Sequence, residues 1–310
     1  MNNYLVTGGA GFIGSKLAKK LIELNNKVVI VDNLSTGYLD NIPKGAEFIK
    51  SNLEDHKTIL MLKKYNFDCI FHIAGQSSGE ISFDNPLLDL NSNVKSTVAL
   101  LKYCYEMDCK KFIYASTMSV YGKVNNNDEL NLCNEKTICE PQSFYAVGKL
   151  ASENYMKIYS NLGINCTALR LFNVYGEGQN MDNLRQGMAS IFLSQAINDR
   201  KILVKGSGER FRDFVHVDDV TDAFILASKV NLKNNFNVFN ISTSIKTTVQ
   251  EIIELIQKNF NYKIPVTFKG NTPGDIYGIT GDHNKFSFKT NWKPKITFDK
   301  GFKKMINYYK

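Results

Sequence analysis

Cysteine is sparse in this sequence, and its spacing is not that of metal ligands or of a redox pair. Six cysteines occur among 310 residues, none of them in a Cys-x-x-Cys pair: Cys69, Cys104, Cys109, Cys133, Cys139 and Cys166. Their scattered positions argue against a zinc site and against a disulfide framework. We therefore expect no metal, and the chain fits the reducing environment of the cytoplasm.

Long apolar runs are also missing from the chain. No stretch approaches the roughly twenty apolar residues that a membrane-spanning helix requires. No secretory signal peptide precedes the first apolar segment, at residues 4–6. The sequence therefore predicts a cytoplasmic protein with no membrane partner.

Basic residues outnumber acidic ones but do not cluster. The chain has 38 Lys and Arg against 30 Asp and Glu, a formal net charge of +8. The positive residues are spread over the exposed faces of predicted helices without interleaved aromatics, so we do not expect nucleic-acid binding. A mildly positive field would help to gather a doubly charged small substrate.

The start of the chain combines a strand, a glycine-rich turn and a helix. An apolar run is followed by Thr7-Gly8-Gly9-Ala10-Gly11-Phe12-Ile13-Gly14, the order that opens a dinucleotide-binding βαβ unit. Gly8 and Gly11 allow a tight turn and the close approach of a pyrophosphate, and Gly14 lets the helix pack on the strand. The free N–H groups of the helix start, at Phe12 and Ile13, would meet the phosphate charge.

The second predicted strand, at residues 28–31, ends in Asp32, eighteen residues after Gly14. A carboxylate there is placed to bind both ribose hydroxyls of NAD, and it would repel the 2′-phosphate of NADP. The alternative is an ordinary βαβ unit with a flexible turn and a capping aspartate, but the glycines, the strand and the acid agree on NAD. Further cofactor contacts are predicted at Asn33, Asn52, Leu53, Ala74, Gly75, Gln76 and Asn93.

Apolar strands alternate with helical patterns over most of the chain. The predicted helices cover residues 58–65, 87–107, 144–162, 187–199 and 218–229, of which 218–229 would be capped by Asp218 or Asp219. A further predicted helix follows a capping box at residues 247–250 and ends near Phe260. This alternation indicates an α/β fold with a doubly wound, parallel Rossmann sheet.

Beyond residue 172 the alternation of strands and helices breaks down. We predict an NAD-binding Rossmann domain at residues 1–172, with residues 213–242 returning to its sheet. Residues 173–212 and 243–310 are expected to form a smaller, interleaved C-terminal substrate-binding lobe. From residue 262 onward the tail is short, mixed and polar.

Tyr145 and Lys149 are four residues apart in a predicted helix and therefore share one face. A nearby ammonium, with the positive nicotinamide of NAD, would favour the phenolate and bring the pKa of Tyr145 toward the working range. Thr117, at the end of the fifth predicted strand, could bond the same substrate oxygen. Such a group can remove a proton from an alcohol while a hydride leaves its carbon. The alternative is an amphipathic pair on a surface helix, with Thr117 as a strand-end cap.

Together these segments resemble the extended short-chain dehydrogenase/reductase family. Within its NAD-dependent epimerase/dehydratase group they are similar to nucleotide-sugar 4-epimerases of the UDP-glucose/UDP-galactose type. The resemblance covers nearly the whole chain and depends on residues 7–14, 32–37, 74–75, Thr117 with 120–122, Tyr145 with Lys149, Arg170 with 173–176, 211–214 and 273–275.

The resemblance implies an NAD-dependent 4-epimerase of a nucleotide sugar, a UDP-hexose or a UDP-N-acetylhexosamine, acting through a transient 4-keto sugar. Tyr145 would be the active-site base, Lys149 would bind the nicotinamide ribose and tune Tyr145, and Thr117 would assist. A homodimer is also implied, through the predicted helices 88–107 and 144–162. The implied substrate-binding residues are Ser119, Asn173, Arg212, Asp275 and Ile279.

Arg212 has support from physical chemistry alone, because a guanidinium suits bidentate binding of a phosphate. The alternative is a surface arginine paired with Asp213 or Glu209. Epimerases usually carry a further Arg at the position of Thr272, so the nucleotide stays open, and Lys269 or Lys285 could supply the missing charge.

Four further positions depart from the patterns of relatives. Dehydratases carry an Asp-Glu pair, and decarboxylating relatives a Glu, where this chain has Met118 and Ser119, so both activities are disfavoured. Asn52 stands where relatives often keep an adenine-binding Asp. Ile279 replaces the bulky Tyr of some epimerases and could leave room for an N-acetyl group.

Two other functions are compatible with the motifs. A net NAD-dependent oxidoreductase acting on a nucleotide sugar would use the same residues, but Asp32 argues against it because reductive biosynthesis usually draws on NADPH. A non-catalytic NAD-binding sensor would need only the cofactor site, and the intact set of Thr117, Tyr145 and Lys149 argues against it.

Overall fold

The computed structural model describes residues 1–124, 130, 132–185, 187–270 and 276–310. Its strands are β1 Asn3–Thr7, β2 Lys27–Asp32, β3 Glu47–Lys50, β4 Cys69–His72, β5 Lys111–Thr117, β6 Leu132–Cys133, β7 Asn165–Leu171, β8 Asn173–Tyr175, β9 Ile202–Val204, β10 Phe211–Arg212, β11 Phe214–His216, β12 Phe236–Ile241, β13 Thr247–Thr248, β14 Val266–Phe268 and β15 Gly278–Gly281. Its α-helices are α1 Phe12–Glu23, α2 His56–Leu62, α3 Gly79–Asp84, α4 Pro86–Asp89, α5 Ser96–Glu106, α6 Phe144–Ser160, α7 Met188–Asn198, α8 Val217–Lys229, α9 Val249–Asn259, α10 Asn284–Thr290 and α11 Phe298–Tyr309.

A seven-stranded parallel sheet forms the centre of the molecule, in the order β12-β7-β5-β4-β1-β2-β3. Its strands are apolar and buried, as expected for a sheet covered on both faces. One face packs against α1 and α8, with Leu17 and Phe224 in the core. The other face packs against α2, α5 and α6, with Leu100 and Met156 in the core. The predicted parallel, doubly wound α/β fold is confirmed.

The sheet turns all its carboxyl strand ends toward one edge, because every strand runs in the same direction. Of residues 213–242, only β12 joins this sheet, beside β7, while β11 pairs with β8 in a separate two-stranded sheet. Strands β13, β10, β15 and β6 form a further sheet. Two residues of these smaller sheets, Asn173 in β8 and Arg212 in β10, line the cavity described below.

A third apolar core lies among α7, α9 and α11. It contains Phe192, Ile252, Phe302, Met305 and Ile306. The prediction of a short, mixed and polar tail from residue 262 onward was therefore wrong for α11, which contributes to this core. Helix α11 is polar on average, but three fully buried side chains recur on one of its faces, and that helical spacing outweighs the mean polarity.

The predicted helix at residues 87–107 is helical throughout but not uniform. Between α4 and α5 the residues Leu90–Lys95 form a π-helical turn. The start of α8 also differs from the prediction, because the imidazole of His216 accepts the cap hydrogen bond from Asp218 N at 3.2 Å. Asp219 instead accepts from the backbone N–H groups of Lys295 and Ile296.

Among the described residues, no helix combines the length and apolarity needed to cross a bilayer.

Candidate active site

The glycine-rich turn joins the carboxyl end of β1 to α1. Gly8 has φ +69°, and a Cβ there would lie 2.8 Å from Ala74 N, while a Cβ on Gly14 would overlap the carbonyl oxygen of Gly8. Gly11 caps α1 without a side-chain hydrogen bond, so backbone N–H groups of Phe12 and Ile13 lie at the helix start. The turn is thus a close-packed backbone cradle of the type that accepts a pyrophosphate.

Asp32 lies at the end of β2 and is 9% exposed. Its Oδ2 accepts a 3.0 Å hydrogen bond from Ala10 N, and its Oδ1 accepts a 2.8 Å bond from Leu34 N. The carboxylate therefore ties the glycine-rich turn to the next loop. In that loop Asn33 Nδ2 donates to Asn52 Oδ1 at 2.9 Å, which brings two of the predicted cofactor residues together.

The end of β4 approaches the same cradle. Ala74 lies against Gly8, and Gly75 adopts φ +155° in a position where a Cβ would overlap Asn93 Oδ1. That Asn93 oxygen is buried and accepts no hydrogen bond from the described part of the chain. A buried acceptor without a donor, facing a glycine beside the phosphate cradle, fits a dinucleotide whose hydroxyl groups would donate to it.

Leu53, which we also predicted to contact the cofactor, is a core residue with 5% exposure beside the end of β3. Gln76 turns back on its own segment, because its Nε2 donates to Ser78 O at 2.7 Å and to Asp89 Oδ2 at 2.9 Å. Both residues follow the carboxyl ends of strands, Leu53 after β3 and Gln76 after β4.

Helix α6 places Tyr145 and Lys149 on one face, directed at the sheet. The Lys149 side chain is 3% exposed, and its Nζ donates a 2.9 Å hydrogen bond to the carbonyl oxygen of Ala115 in β5. The same Nζ lies 5.9 Å from the centroid of the Tyr145 ring and 4.7 Å from that of Tyr114. The two side chains are therefore not a surface pair.

The environment changes the acidity of both groups. Burial lowers the pKa of Lys149 to about 8, against the opposing effects of Asp89 and Glu153. Burial raises the pKa of Tyr145 to about 12, the Thr117 hydroxyl opposes this rise, and Asp89 adds to it. The sequence-based expectation of a lowered phenol pKa thus does not hold for the chain alone, because desolvation outweighs the opposing hydrogen bond from Thr117.

Thr117 ends β5 and caps the short helical turn Met118–Tyr121. Its hydroxyl accepts a 3.1 Å bond from Ser119 N and donates to Ser119 Oγ at 3.2 Å. Thr117 therefore does form a strand-end cap, and in the same position it acts on the Tyr145 phenol.

A cavity of about 310 Å³ opens next to these residues. Three of the predicted substrate-binding residues line it: Ser119, Asn173 and Arg212. Arg212 is 3% exposed and donates from Nη1 to the carbonyl oxygens of Phe211 and Tyr277. The Oδ1 of Asn173 is buried and accepts no hydrogen bond from the described residues. The cavity thus has a buried cation and an available acceptor in its wall.

Ile279 and Lys285 do not line this cavity. Ile279 is fully buried in a cluster with Val120 and Tyr121 behind the wall, and Ile276 lines the cavity instead. Lys285 donates to Val238 O at 2.7 Å and is not in the lining. Asp275 and Thr272, with the rest of residues 271–275, lie outside the described residues.

Sequence reasoning missed several charged residues of the cavity wall. Arg185, Lys205 and Arg210 line it, together with Glu80. Glu80 Oε1 is 3.6 Å from both Arg185 Nε and Lys205 Nζ. The only signal in the sequence was the loop of residues 206–208, which Lys205 and Arg210 flank.

A model of the NAD dependent epimerase/dehydratase family matches residues 4–242. A protein of Methanocaldococcus jannaschii described as a putative UDP-glucose 4-epimerase is 34% identical over 313 residues, covering 99% of this chain and 98% of that protein. The Thermotoga maritima UDP-glucose 4-epimerase with UDP-glucose has a TM-score of 0.92 and 34% identity, covering 99% of this chain and 98% of that one. The UDP-N-acetylglucosamine 4-epimerase of Methanobrevibacter ruminantium, in complex with UDP-N-acetylmuramic acid, has a TM-score of 0.91 and 30% identity over the same shares of both chains.

Proposed function

The chain belongs to the NAD-dependent epimerase/dehydratase family, and we propose that it catalyses the 4-epimerisation of a UDP-linked hexose or N-acetylhexosamine. The family resemblance seen in the motifs is confirmed, and so is NAD as the cofactor. One observation carries the proposal. Tyr145 and the buried Lys149 meet the end of β5 beside a cavity whose wall contains Asn173 and the buried Arg212.

The glycine cradle would hold NAD, whose nicotinamide would serve as a reversible hydride acceptor for C4 of the sugar. Tyr145 would accept the proton of the sugar 4-hydroxyl and later give it back, with the Thr117 hydroxyl bonding the same oxygen. The phenol has a pKa of about 12 in the chain alone. The positive charges of Lys149 and of the oxidised nicotinamide would favour the phenolate, so proton removal is expected only with cofactor in place.

The cation-lined wall is suited to a nucleoside diphosphate. Arg212 presents a guanidinium that matches phosphate oxygens, and Arg210 and Lys205 add positive charge to the same wall. Anchoring the diphosphate here would leave the sugar free to turn over, so that the hydride returns to its opposite face. Binding energy far from the reacting carbon would then be used for orientation.

The end of β5 argues against the other reactions of the family. Met118 and Ser119 line the cavity directly after Thr117, and neither side chain can act as the acid or base that expulsion of water would require. The sugar would therefore undergo oxidation and re-reduction at one carbon with no net redox change.

The names of similar proteins support UDP as the nucleotide and leave two sugar classes to be ranked. One similar solved structure contains UDP-glucose, and another belongs to a UDP-N-acetylglucosamine 4-epimerase. Ile279 does not decide between them by its size, since its side chain lies behind the cavity wall.

A homodimer is part of the proposal. Helix α6 and the neighbouring α4–α5 segment expose large apolar side chains, of which Leu87 is 70% exposed and Ile158 is 61% exposed. Burial of such side chains against a second copy is the usual way in which an apolar helix face is stabilised.

A cytoplasmic location is also proposed. All six cysteines are free thiols, and five of them are buried. Free buried thiols fit a reducing compartment, and supply of a polysaccharide pathway with its sugar nucleotide would take place there.

The test uses the purified protein without added cofactor. UDP-glucose, UDP-galactose and the two corresponding N-acetylhexosamine nucleotides are incubated separately, and the sugars are followed by proton NMR. We expect interconversion of at least one pair of 4-epimers without accumulation of NADH. Stoichiometric NADH formation would instead indicate a net oxidoreductase, and bound NAD with no turnover of any sugar nucleotide would indicate a sensor.

A further inference from the structure

Asp89 is a buried acidic residue next to the active site that no step above uses. It ends α4, is 1% exposed, and directly precedes the π-helical turn Leu90–Lys95. π-Helical turns are rare and frequently occur at functional sites. Here the turn directs Asn93 inward, toward Gly75.

The Asp89 carboxylate connects two pieces of the site. Its Oδ2 accepts from Gln76 Nε2 at 2.9 Å and from Asn93 Nδ2 at 3.0 Å. Asn93 Nδ2 also donates to Gln76 O at 2.9 Å, and Gln76 is hydrogen-bonded to both backbone groups of Ser78. Because Ser78 lines the cavity, one carboxylate oxygen orders both the cavity wall and the residue behind Gly75.

The other carboxylate oxygen lies against helix α6. A Cβ built on Gly148 would be 2.9 Å from Asp89 Oδ1, so a larger residue could enter only if the carboxylate moved. Gly148 is three residues after Tyr145 and directly before Lys149. The glycine therefore lets the Asp89 carboxylate approach α6 within one helical turn of both Tyr145 and Lys149.

The buried positive charge of Lys149 requires a nearby negative charge, and Asp89 is a carboxylate that can supply it. Lys149 is buried, and its Nζ donates a hydrogen bond to a neutral carbonyl group, that of Ala115. Two carboxylates act on it, Asp89 and Glu153. Glu153 already forms a bidentate ion pair with Arg170, whereas the hydrogen-bond partners of Asp89 are neutral amides.

Other titratable groups near Lys149 do not supply this negative charge. Burial and the charge of Lys149 lower the pKa of His72 to about 3, so its imidazole is neutral. The Tyr145 phenol is neutral in the chain alone because its pKa is about 12. Burial raises the pKa of Asp89, while its two amide partners and Lys149 oppose the rise.

We propose that Asp89 is a positioning residue of the epimerase site, whose carboxylate acts as the counter-ion of Lys149 and fixes the Gln76–Asn93 wall against α6. This inference rests on the proposed function only where it is tested by epimerase activity. The carboxylate keeps Lys149 protonated at working pH, and so retains the positive charge that the phenolate and the nicotinamide ribose require.

Asp89→Asn separates charge from hydrogen bonding, because the amide oxygen can still accept from both Gln76 and Asn93. We expect KM and the bound NAD to stay near their wild-type values. Both limbs of the kcat–pH profile should move about one unit toward lower pH, since the carboxylate favours the protonated forms of Tyr145 and Lys149. Asp89→Ala should produce the same displacement and raise KM several-fold.

Two further variants test the same inference if the Asp89 variants fold poorly: one moves the carboxylate, and the other is a control for the loss of a buried acid. Gly148→Ala displaces the carboxylate without removing it and should move the profile in the same direction by a smaller amount. Asp219→Asn is the matched control. Asp219 is 2% exposed and accepts from Lys295 N and Ile296 N at the far side of α8, so its loss should reduce stability and leave the profile unchanged.

A readout without turnover separates this inference from the proposed function. NMR titration of protein with ¹³C-labelled lysine, with the Lys149 signal assigned by Lys149→Met, should show a lower Lys149 pKa in Asp89→Asn. That result in a protein with no epimerase activity would leave the inference standing and reject the function. An active enzyme whose Lys149 pKa and kcat–pH profile are the same in Asp89→Asn would overturn the inference.

Discussion

Glu153 and Arg170 form a bidentate ion pair inside the fold. Arg170 Nε lies 3.0 Å from Glu153 Oε1, and Arg170 Nη2 lies 2.7 Å from Oε2, with the side chains only 6% and 4% exposed. Ser116 Oγ donates to the same carboxylate at 2.5 Å. The pair therefore attaches α6, which carries Tyr145, to the ends of β5 and β7.

Glu153→Gln should destabilise the protein strongly, because it leaves the Arg170 guanidinium buried without its counter-ion. We expect a loss of about 3–5 kcal/mol in the free energy of unfolding, measured by urea denaturation. Glu106→Gln is the control, since Glu106 pairs with Lys63 at the surface, and it should unfold at the wild-type urea concentration. Equal behaviour of the two variants would contradict a structural role for the Glu153–Arg170 pair.

Tyr145→Phe should reduce kcat by about 10²–10⁴-fold, because the proton acceptor is lost while the aromatic ring is kept. Bound NAD and the affinity for UDP-sugar should change little, since neither the glycine cradle nor Arg212 is altered. Stopped assays by NMR give kcat, and calorimetry gives the affinity. A variant that turns over at the wild-type rate would show that another group takes the proton.

Gly14→Ala should abolish retention of NAD, because the new methyl group would overlap Gly8 O and open the phosphate cradle. The measurement is the NAD released by acid from purified protein. Gly208→Ala provides a matched control in the lobe, where the added Cβ would approach nothing closer than 3.4 Å. NAD content equal in both variants would show that the cradle tolerates the displacement.

Activity should fall as pH rises through about 8, because Lys149 loses its proton there. Stability should move in the opposite direction. Between pH 8 and the ordinary lysine value of 10.5 the unfolded chain binds the proton and the folded one does not, so this group makes the free energy of unfolding rise with pH. Urea unfolding at pH 8 and at higher pH measures the slope, which Lys149→Met should lack.

Ile158→Glu should convert the proposed dimer to a monomer, because the side chain lies on the exposed apolar face of α6. Light scattering after gel filtration gives the mass. Phe288→Glu is the matched control, since Phe288 is 84% exposed on α10, away from that face. If Ile158→Glu keeps the wild-type mass, the dimer does not use this face.

The local parts of the site could be predicted because they depend on short stretches of backbone. The glycine turn of residues 7–14 needs no distant partner, and Tyr145 and Lys149 share a face simply because they are one helical turn apart. Alternating apolar segments likewise predicted the parallel sheet, which the structure confirms.

Contacts between distant segments could not be predicted from such patterns. The placement of Asp89 against Gly148 of α6 depends on the π-helical turn and on the missing side chain of that glycine. The pKa values of Tyr145 and Lys149 also could not be predicted from the sequence. Burial in the folded protein raises the pKa of Tyr145 and lowers that of Lys149.

The sequence by itself thus determined the fold class, the glycine-rich turn and the shared helix face of Tyr145 and Lys149, since each depends on local spacing. The tertiary structure decided which charges line the cavity. It brought Lys205 and Arg210 to the cavity wall and placed Ile279 behind it. Those outcomes depend on how β9, β10 and β15 pack beside the main sheet, and side chains far apart in the chain acquire a common electrostatic environment only when that packing is complete.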